Sequence, residues 1–162
     1  MLLDATQRAA LFRHPAGWIA TGFGAGLSPV APGTAGSLVA LLPWLLLREL
    51  PLPWYLAALM LAFAIGVWAC AWLVRTLQTG DPSIAVVDEF VGQWIALVPL
   101  LTTSRGILWI LPGFILFRIF DVWKPWPVSW ADRRVKGGLG VMLDDVLAGI
   151  YAALMLAVLI RL

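Results

Sequence analysis

One cysteine and one histidine in 162 residues close off several chemistries at once. Cys70 stands alone inside an apolar run, so no disulfide framework exists, and it reads as a small buried hydrophobe. His14 is the only imidazole and lies near the N-terminus, far in sequence from every acidic pair. A multi-histidine zinc site is thereby excluded, and the position of His14 speaks against a Ser-His-Asp triad or a histidine phosphatase. Charge is scarce as well: 12% of residues are Asp, Glu, Lys or Arg, against about 25% in soluble domains. The net charge of +2 gives no footprint for nucleic acid. Residues 1–17 mix apolar residues with Arg8, Arg13 and His14. They offer neither the uninterrupted core nor the cleavage site of a signal peptide, and suit an uncleaved amphipathic segment at the interface.

What the chain has in excess is apolar surface, 62% of residues with a mean hydropathy of +0.92. A domain of this size cannot hide so much of it, so lipid must be the solvent for a large part. Ten tryptophans suit anchoring at headgroup depth. Apolar runs occur at 35–47, 53–74, 84–101, 106–123 and 141–160, the first too short for a certain crossing. The expectation is a single all-α integral membrane domain over 1–162. It is a compact bundle of four to five membrane helices, with a Gly/Pro-rich re-entrant or interfacial loop. With five spans and the N-terminus inside, Arg8, Arg13, Arg75, Lys124, Arg133, Arg134 and Lys136 share one side, while Arg48, Arg105 and Arg161 take the other. The positive-inside rule makes the first side cytoplasmic.

That topology gathers the unusual residues. Asp88 and Glu89 lie near the start of a helix leaving the cytoplasmic side, and Asp121 ends one arriving there. Asp144 and Asp145 fall in the first turn of another helix leaving it, after a flexible lead through Gly137, Gly138 and Gly140. A carboxylate in a membrane span costs roughly 2.5–3.5 kcal/mol on insertion scales, and adjacent acids repel in a medium of low dielectric. Two readings account for them. A hard divalent cation such as Mg²⁺ could sit among Asp88, Glu89, Asp144 and Asp145, or the acids could be structural partners of Arg118 and Lys124. Gly92 and Gly149 share faces with Asp88 and Asp145 and would allow close helix contact.

The segment GFGAGLSPVAPGTAGS, 22–37, holds five glycines and two prolines and is not expected to form a regular helix. Gly33-Thr34 and Gly36-Ser37 precede an apolar helix, where free N–H groups and hydroxyls could cradle a phosphate or merely cap a turn. Arg118, Asp121 and Lys124 recur every third residue before Pro125 and Pro127. Arg133, Arg134 and Lys136 either attract anionic headgroups or only set topology.

These blocks, GFGAGLSPVAPGTAGS (22–37), VDEFVGQW (87–94), FRIFDVWKPWPV (117–128) and GGLGVMLDDVLAG (137–149), resemble the phosphatidylglycerophosphatase A family of bacterial lipid phosphatases. The resemblance runs from about residue 18 to residue 150, in the family's order. It implies Mg²⁺-dependent hydrolysis of the phosphomonoester of phosphatidylglycerophosphate, a membrane lipid made on the cytoplasmic leaflet of the bacterial inner membrane. Asp88, Glu89, Asp121 and Asp145 would be the catalytic acids, and Asp88, Glu89, Asp144 and Asp145 the metal shell. Ser28, Thr34, Ser37, Arg118 and Lys124 would bind the substrate phosphate. The residues leave open whether water, an Asp or Thr34 attacks phosphorus, and whether the chain forms a homo-oligomer. The rival class is a transporter or proton relay, which would distribute its carboxylates through the membrane depth instead of at one edge.

Overall fold

The computed structural model describes residues 5–80, 82–103 and 106–162. Residues 1–4 of the N-terminal segment and Arg105 of the charge count lie outside them. Among the described residues there is no strand. The helices are α1 (Ala5–Phe12), α2 (Pro15–Ala20), α3 (Pro32–Leu47), α4 (Leu52–Leu77), α5 (Val87–Ala96), α6 (Ile110–Trp123), α7 (Val128–Arg134) and α8 (Gly137–Leu159), with short 3-10 turns at Ala25–Leu27, Val98–Thr102 and Gly106–Trp109.

Three stretches are long and apolar enough to cross a membrane: Leu52–Leu77, Gly106–Trp123 and Gly137–Leu159. Their outward faces carry bare Met60, Leu61, Leu111, Ile119 and Leu154, an apolar surface suited to the hydrocarbon of a bilayer. α8 is the innermost of the three, with 44% of its most apolar window buried against 22% and 17% for the other two. It packs on α4, α5, α6 and α7, while α5 packs in turn on α3, α4 and α6. α5 and α8 are therefore the hub.

Three expectations need correction. The run 84–101 is not one span, because α5 stops at Ala96 and a 3-10 turn follows. Pro99 has no N–H to give the Ile95 carbonyl, so the α-helical ladder cannot continue. Ten residues of α5 cover about 15 Å and the sixteen of α3 about 24 Å. The Gly/Pro segment is not irregular throughout either. Pro32 occupies the first position of α3, where its fixed φ suits helix and its missing N–H costs nothing. Irregular chain is thus confined to the turns before it. Finally, α8 begins at Gly137, so Asp144 and Asp145 sit two turns inside a helix and not in its first turn.

Small residues explain the tight hub. A Cβ added at Gly149 would lie 2.5 Å from the Gly92 carbonyl oxygen, and one added at Gly92 would lie 2.7 Å from the Asp145 carbonyl oxygen. The backbones of α5 and α8 touch at the level of the acids, as the spacing of the glycines leads one to expect. Trp94 ties α5 to both neighbours: its indole N–H donates to the Ala40 carbonyl at 2.8 Å, and its carbonyl accepts from the Tyr55 hydroxyl at 2.7 Å. The approach to α5 is pinned by the Val86 N–H, which donates to the Ala20 carbonyl at 2.8 Å. His14 has a structural task here. Its Nδ1 accepts the Ala16 N–H to cap α2, and its ring stacks on Trp72 at 4.5 Å.

Candidate active site

At one end of the bundle α3 and α5 begin, α6 ends, and the first two turns of α8 pass alongside. Chain direction alone places the four polar blocks together, and the side chains complete the arrangement. Glu89, in the first turn of α5, is 7% exposed. Its Oε2 accepts the Ser37 hydroxyl of α3 at 2.7 Å and pairs with Arg118 Nη1 of α6. The same Nη1 lies 2.8 Å from Asp121 Oδ2 and 3.2 Å from Ser37 Oγ. Arg118 thus binds the α5 acid, the α6 acid and the α3 hydroxyl in one knot. Gly33 makes this possible. A Cβ there would strike Glu89 Oε1 and stand 3.2 Å from Arg118 Nη2, so only glycine lets the first turn of α3 lie against the ion pair.

A second knot adjoins the first. Lys124 caps α6 with φ +48, a left-handed conformation that costs a non-glycine residue roughly 1–2 kcal/mol. The turn carries its ammonium to Asp132 Oδ1 of α7 at 2.6 Å and Asp144 Oδ2 of α8 at 2.7 Å. Burial works against the Lys124 charge, but the hydrogen bonds and charges of Asp132 and Asp144 outweigh it and raise its pKa above the ordinary lysine value.

The ion pairs do not engage every carboxylate oxygen. Asp144 Oδ1 and Asp145 Oδ2 are buried without a hydrogen-bond partner. Asp145 is 3% exposed and feels the charges of Glu89, Asp88, Asp121 and Asp144. Such a group is strongly unfavourable without a cation or proton beside it. Asp88 stands half-buried next to Glu89, whose backbone N–H donates to Asp88 Oδ1 at 3.0 Å. Among the described residues, no three His, Cys, Asp or Glu side chains close into a ready-made ligand cluster.

The expected residues therefore divide. Glu89, Asp121, Ser37 and Arg118 converge directly. Asp144 and Lys124 form the adjoining pair, and Asp145 lies within electrostatic reach of both acidic groups. Thr34 sits on the first turn of α3. Ser28 is turned to a local role, its hydroxyl donating to the Val30 carbonyl at 2.8 Å. Both sequence readings of the acids are thus partly visible: Arg118 and Lys124 take some oxygens and leave others. Two residues escaped notice. Asp132 hid in the basic stretch after α6, where nothing local links it to Lys124. Gln93 left a signal, a lone amide in an apolar helix one turn beyond Glu89, and it is wholly buried with neither amide atom partnered.

The family model for phosphatidylglycerophosphatase A matches residues 18–160. The chain belongs to the phosphatidylglycerophosphatase A family. Phosphatidylglycerophosphatase A of Escherichia coli is 43% identical over 93% of this chain and 86% of its own length. The protein of that name from Haemophilus influenzae is 40% identical over 87% of this chain and 86% of its own. A Bacteroides thetaiotaomicron protein, named provisionally as a phosphatidylinositol-3-phosphatase, is 46% identical over 86% of this chain and 90% of its own. No solved structure matches the chain. Membership of this lipid phosphatase family makes the polar end of the bundle, where all four blocks meet, its candidate active site.

Proposed function

We propose that this chain hydrolyses the phosphomonoester of phosphatidylglycerophosphate to phosphatidylglycerol and phosphate, using Mg²⁺, at the cytoplasmic face of a bacterial inner membrane. Residues 1–162 act as a single domain, with residues 1–17 at the interface and α3 and α5 counted with the three long helices. The activities in the relatives' names share one chemistry, a phosphomonoester on a polyol carried by a lipid. The observation that carries the reading is the pair of unpartnered buried carboxylate oxygens of Asp144 and Asp145, with Asp145 in electrostatic reach of the Arg118 guanidinium.

These residues fit Mg²⁺. Such a site commonly uses one or two carboxylates and fills its remaining positions with water and substrate phosphate, so a closed protein cluster is not required. Asp88, Glu89, Asp144 and Asp145 are the acids from which one or two would hold the ion, which would supply charge neutralisation at the phosphoryl oxygens and a more acidic water. The remaining work falls to the chain. The first-turn N–H groups of α3, with Thr34, face anionic oxygens with the positive end of the helix dipole. Arg118 offers Nη2 on the same side and balances charge that grows on the transferring group. Ser37 and Arg118 hold Glu89 in place. Asp145, uncommitted to any hydrogen bond through Oδ2, would take the proton of the attacking water. Lys124 orients Asp144.

Purified protein in detergent, given phosphatidylglycerophosphate and Mg²⁺, should release inorganic phosphate. EDTA should stop the release and added Mg²⁺ restore it. Release unaffected by EDTA would remove the metal, and no release under any condition would remove the enzyme reading.

A further inference from the structure

α3 and α4 both pack on α5 and hardly on each other. They run in opposite directions from a shared turn at 48–51, so a crevice floored by α5 lies between them. Two cavities occupy it. One, of about 480 Å³, is lined by Pro43 and Leu46 of α3 and Ala58 of α4 among others. The other, of about 280 Å³, reaches the polar end of the bundle at Gly22, Phe23, Val87 and Phe90. Ala62, Ile65 and Trp94 line both, so the two form one continuous gutter. No charged side chain among the described residues lines it. Its one polar side-chain group, the Trp94 indole N–H, is spent on the Ala40 carbonyl. Such a space stays dry and takes an apolar occupant.

The polar end of the gutter adjoins the candidate active site through α5. Glu89 and Phe90 are consecutive, the carboxylate held by Ser37 and Arg118 and the ring lining the gutter. Two glycines keep the chain close here. A Cβ at Gly22 would lie 2.9 Å from Phe90 Cε2, and one at Gly36 would lie 2.7 Å from Val86 Cβ. The start of α3 therefore separates the gutter from the Glu89–Arg118 pair by one helix width, about 10–12 Å with side chains. A lipid whose phosphomonoester ends a long polar headgroup can span that width, with its phosphate on one side and its acyl chain on the other. We propose that the gutter holds one acyl chain of the lipid substrate, its ester end at the Gly22–Phe23 turn, so that the headgroup crosses the start of α3 to the acids. The subsite rests on the phosphatase reading and adds to it a path from the bilayer. Lipid tails are as apolar as leucine, so moving a chain from bilayer to gutter contributes little affinity. It contributes registration, because a seated chain fixes the depth at which the phosphate meets the site.

The gutter can be probed without altering the acids. The probe is a phosphonate analogue of phosphatidylglycerophosphate that resists hydrolysis and carries a diazirine midway along one acyl chain. Added to the full chain in detergent and irradiated, it should label residues 58–65 and 87–94 saturably. Unlabelled phosphatidylglycerophosphate should suppress the labelling. Phosphatidylcholine of the same chain length should not, since its headgroup has no phosphomonoester for Arg118 and the start of α3. Labelling spread evenly to bare Leu111 and Ile119, or suppressed equally by both lipids, overturns the subsite. Turnover gives a second readout. Ala62→Phe and Ile65→Trp obstruct the gutter where its two cavities join, and each should lower kcat/KM for the dipalmitoyl substrate about tenfold. Leu111→Phe, on the outward face of α6, should leave it unchanged. Wild-type turnover in both gutter variants also overturns the subsite, and the labelling of the wild-type chain decides if neither variant folds. Saturable labelling of the gutter with no phosphate release from any lipid would retire the phosphatase reading and keep an acyl-chain site. Release together with evenly spread labelling would retire the gutter alone.

Discussion

Gly33→Ala is the smallest change that tests whether the first turn of α3 must touch the Glu89–Arg118 pair. The new methyl would occupy the space of Glu89 Oε1. Glu89 cannot simply withdraw, since Oε2 is held at 2.7 Å by Ser37 and by the Arg118 guanidinium. Moving the carboxylate sacrifices at least one hydrogen bond to a charged group, worth about 1.5–3 kcal/mol. At about 1.4 kcal/mol for each tenfold change in rate, that loss amounts to one to two orders of magnitude if it falls on the transition state. If it falls on the folded state it appears as a lower Tm. The assay is phosphate release across a range of substrate concentrations, with thermal unfolding of the same detergent preparation. A lower kcat/KM with an unaltered Tm places the contact in catalysis, and both falling together places it in folding as well. Wild-type values of both would refute the reasoning, because they would mean that α3 does not press on Glu89.

Two further outcomes follow from contacts at the hub and at Lys124. Gly149→Ala should force α5 from α8 at the Gly92 carbonyl, an overpacking that costs about 1–3 kcal/mol; an unchanged Tm in detergent would show that the backbones do not touch. Lys124 has a raised pKa in the folded chain, so its stabilising contribution is complete below the unfolded lysine value of about 10.4 and is lost as pH climbs through the folded value. The stability difference between wild type and Lys124→Met should therefore hold steady from pH 7 to about 10 and narrow only above it. Chemical denaturation at several pH values checks this, and narrowing already near neutrality would contradict it.

The physical reasons for what the sequence reveals are visible in individual residues. Long apolar periods expose α4 and α8, because α4 and the second half of α8 present apolar faces outward. The acidic pairs are conspicuous because a charge is rare in such company. Chain direction then brings them to one end without any tertiary information. The break after α5 was also legible, at Pro99, but the apolar run through Val98, Leu100 and Leu101 masked it. The start of α8 at Gly137 was obscured by glycines that look like a flexible lead. They lie inside the helix because α8 must come close to its neighbours, which is a property of packing and not of local propensity. The partnership of Lys124 with Asp132 leaves no local trace, since it depends on how α7 folds back across the end of α6. Which oxygens remain unpartnered is likewise fixed only by the complete set of contacts.

Asp145→Asn is the most direct test of the central claim, that the acids of α5, α6 and α8 form one hydrolytic site. The change keeps the shape of the side chain and removes a buried charge that has no hydrogen bond at Oδ2. The account predicts a fall in phosphate release from phosphatidylglycerophosphate of about 10²–10⁴-fold, the usual worth of a general base. It predicts at the same time a Tm in Mg²⁺-free detergent equal to or above that of wild type, because the cost of burying a carboxylate, and its repulsion with Glu89, Asp88, Asp121 and Asp144, is relieved. Release close to wild type, or a loss of activity that merely follows unfolding, would contradict it.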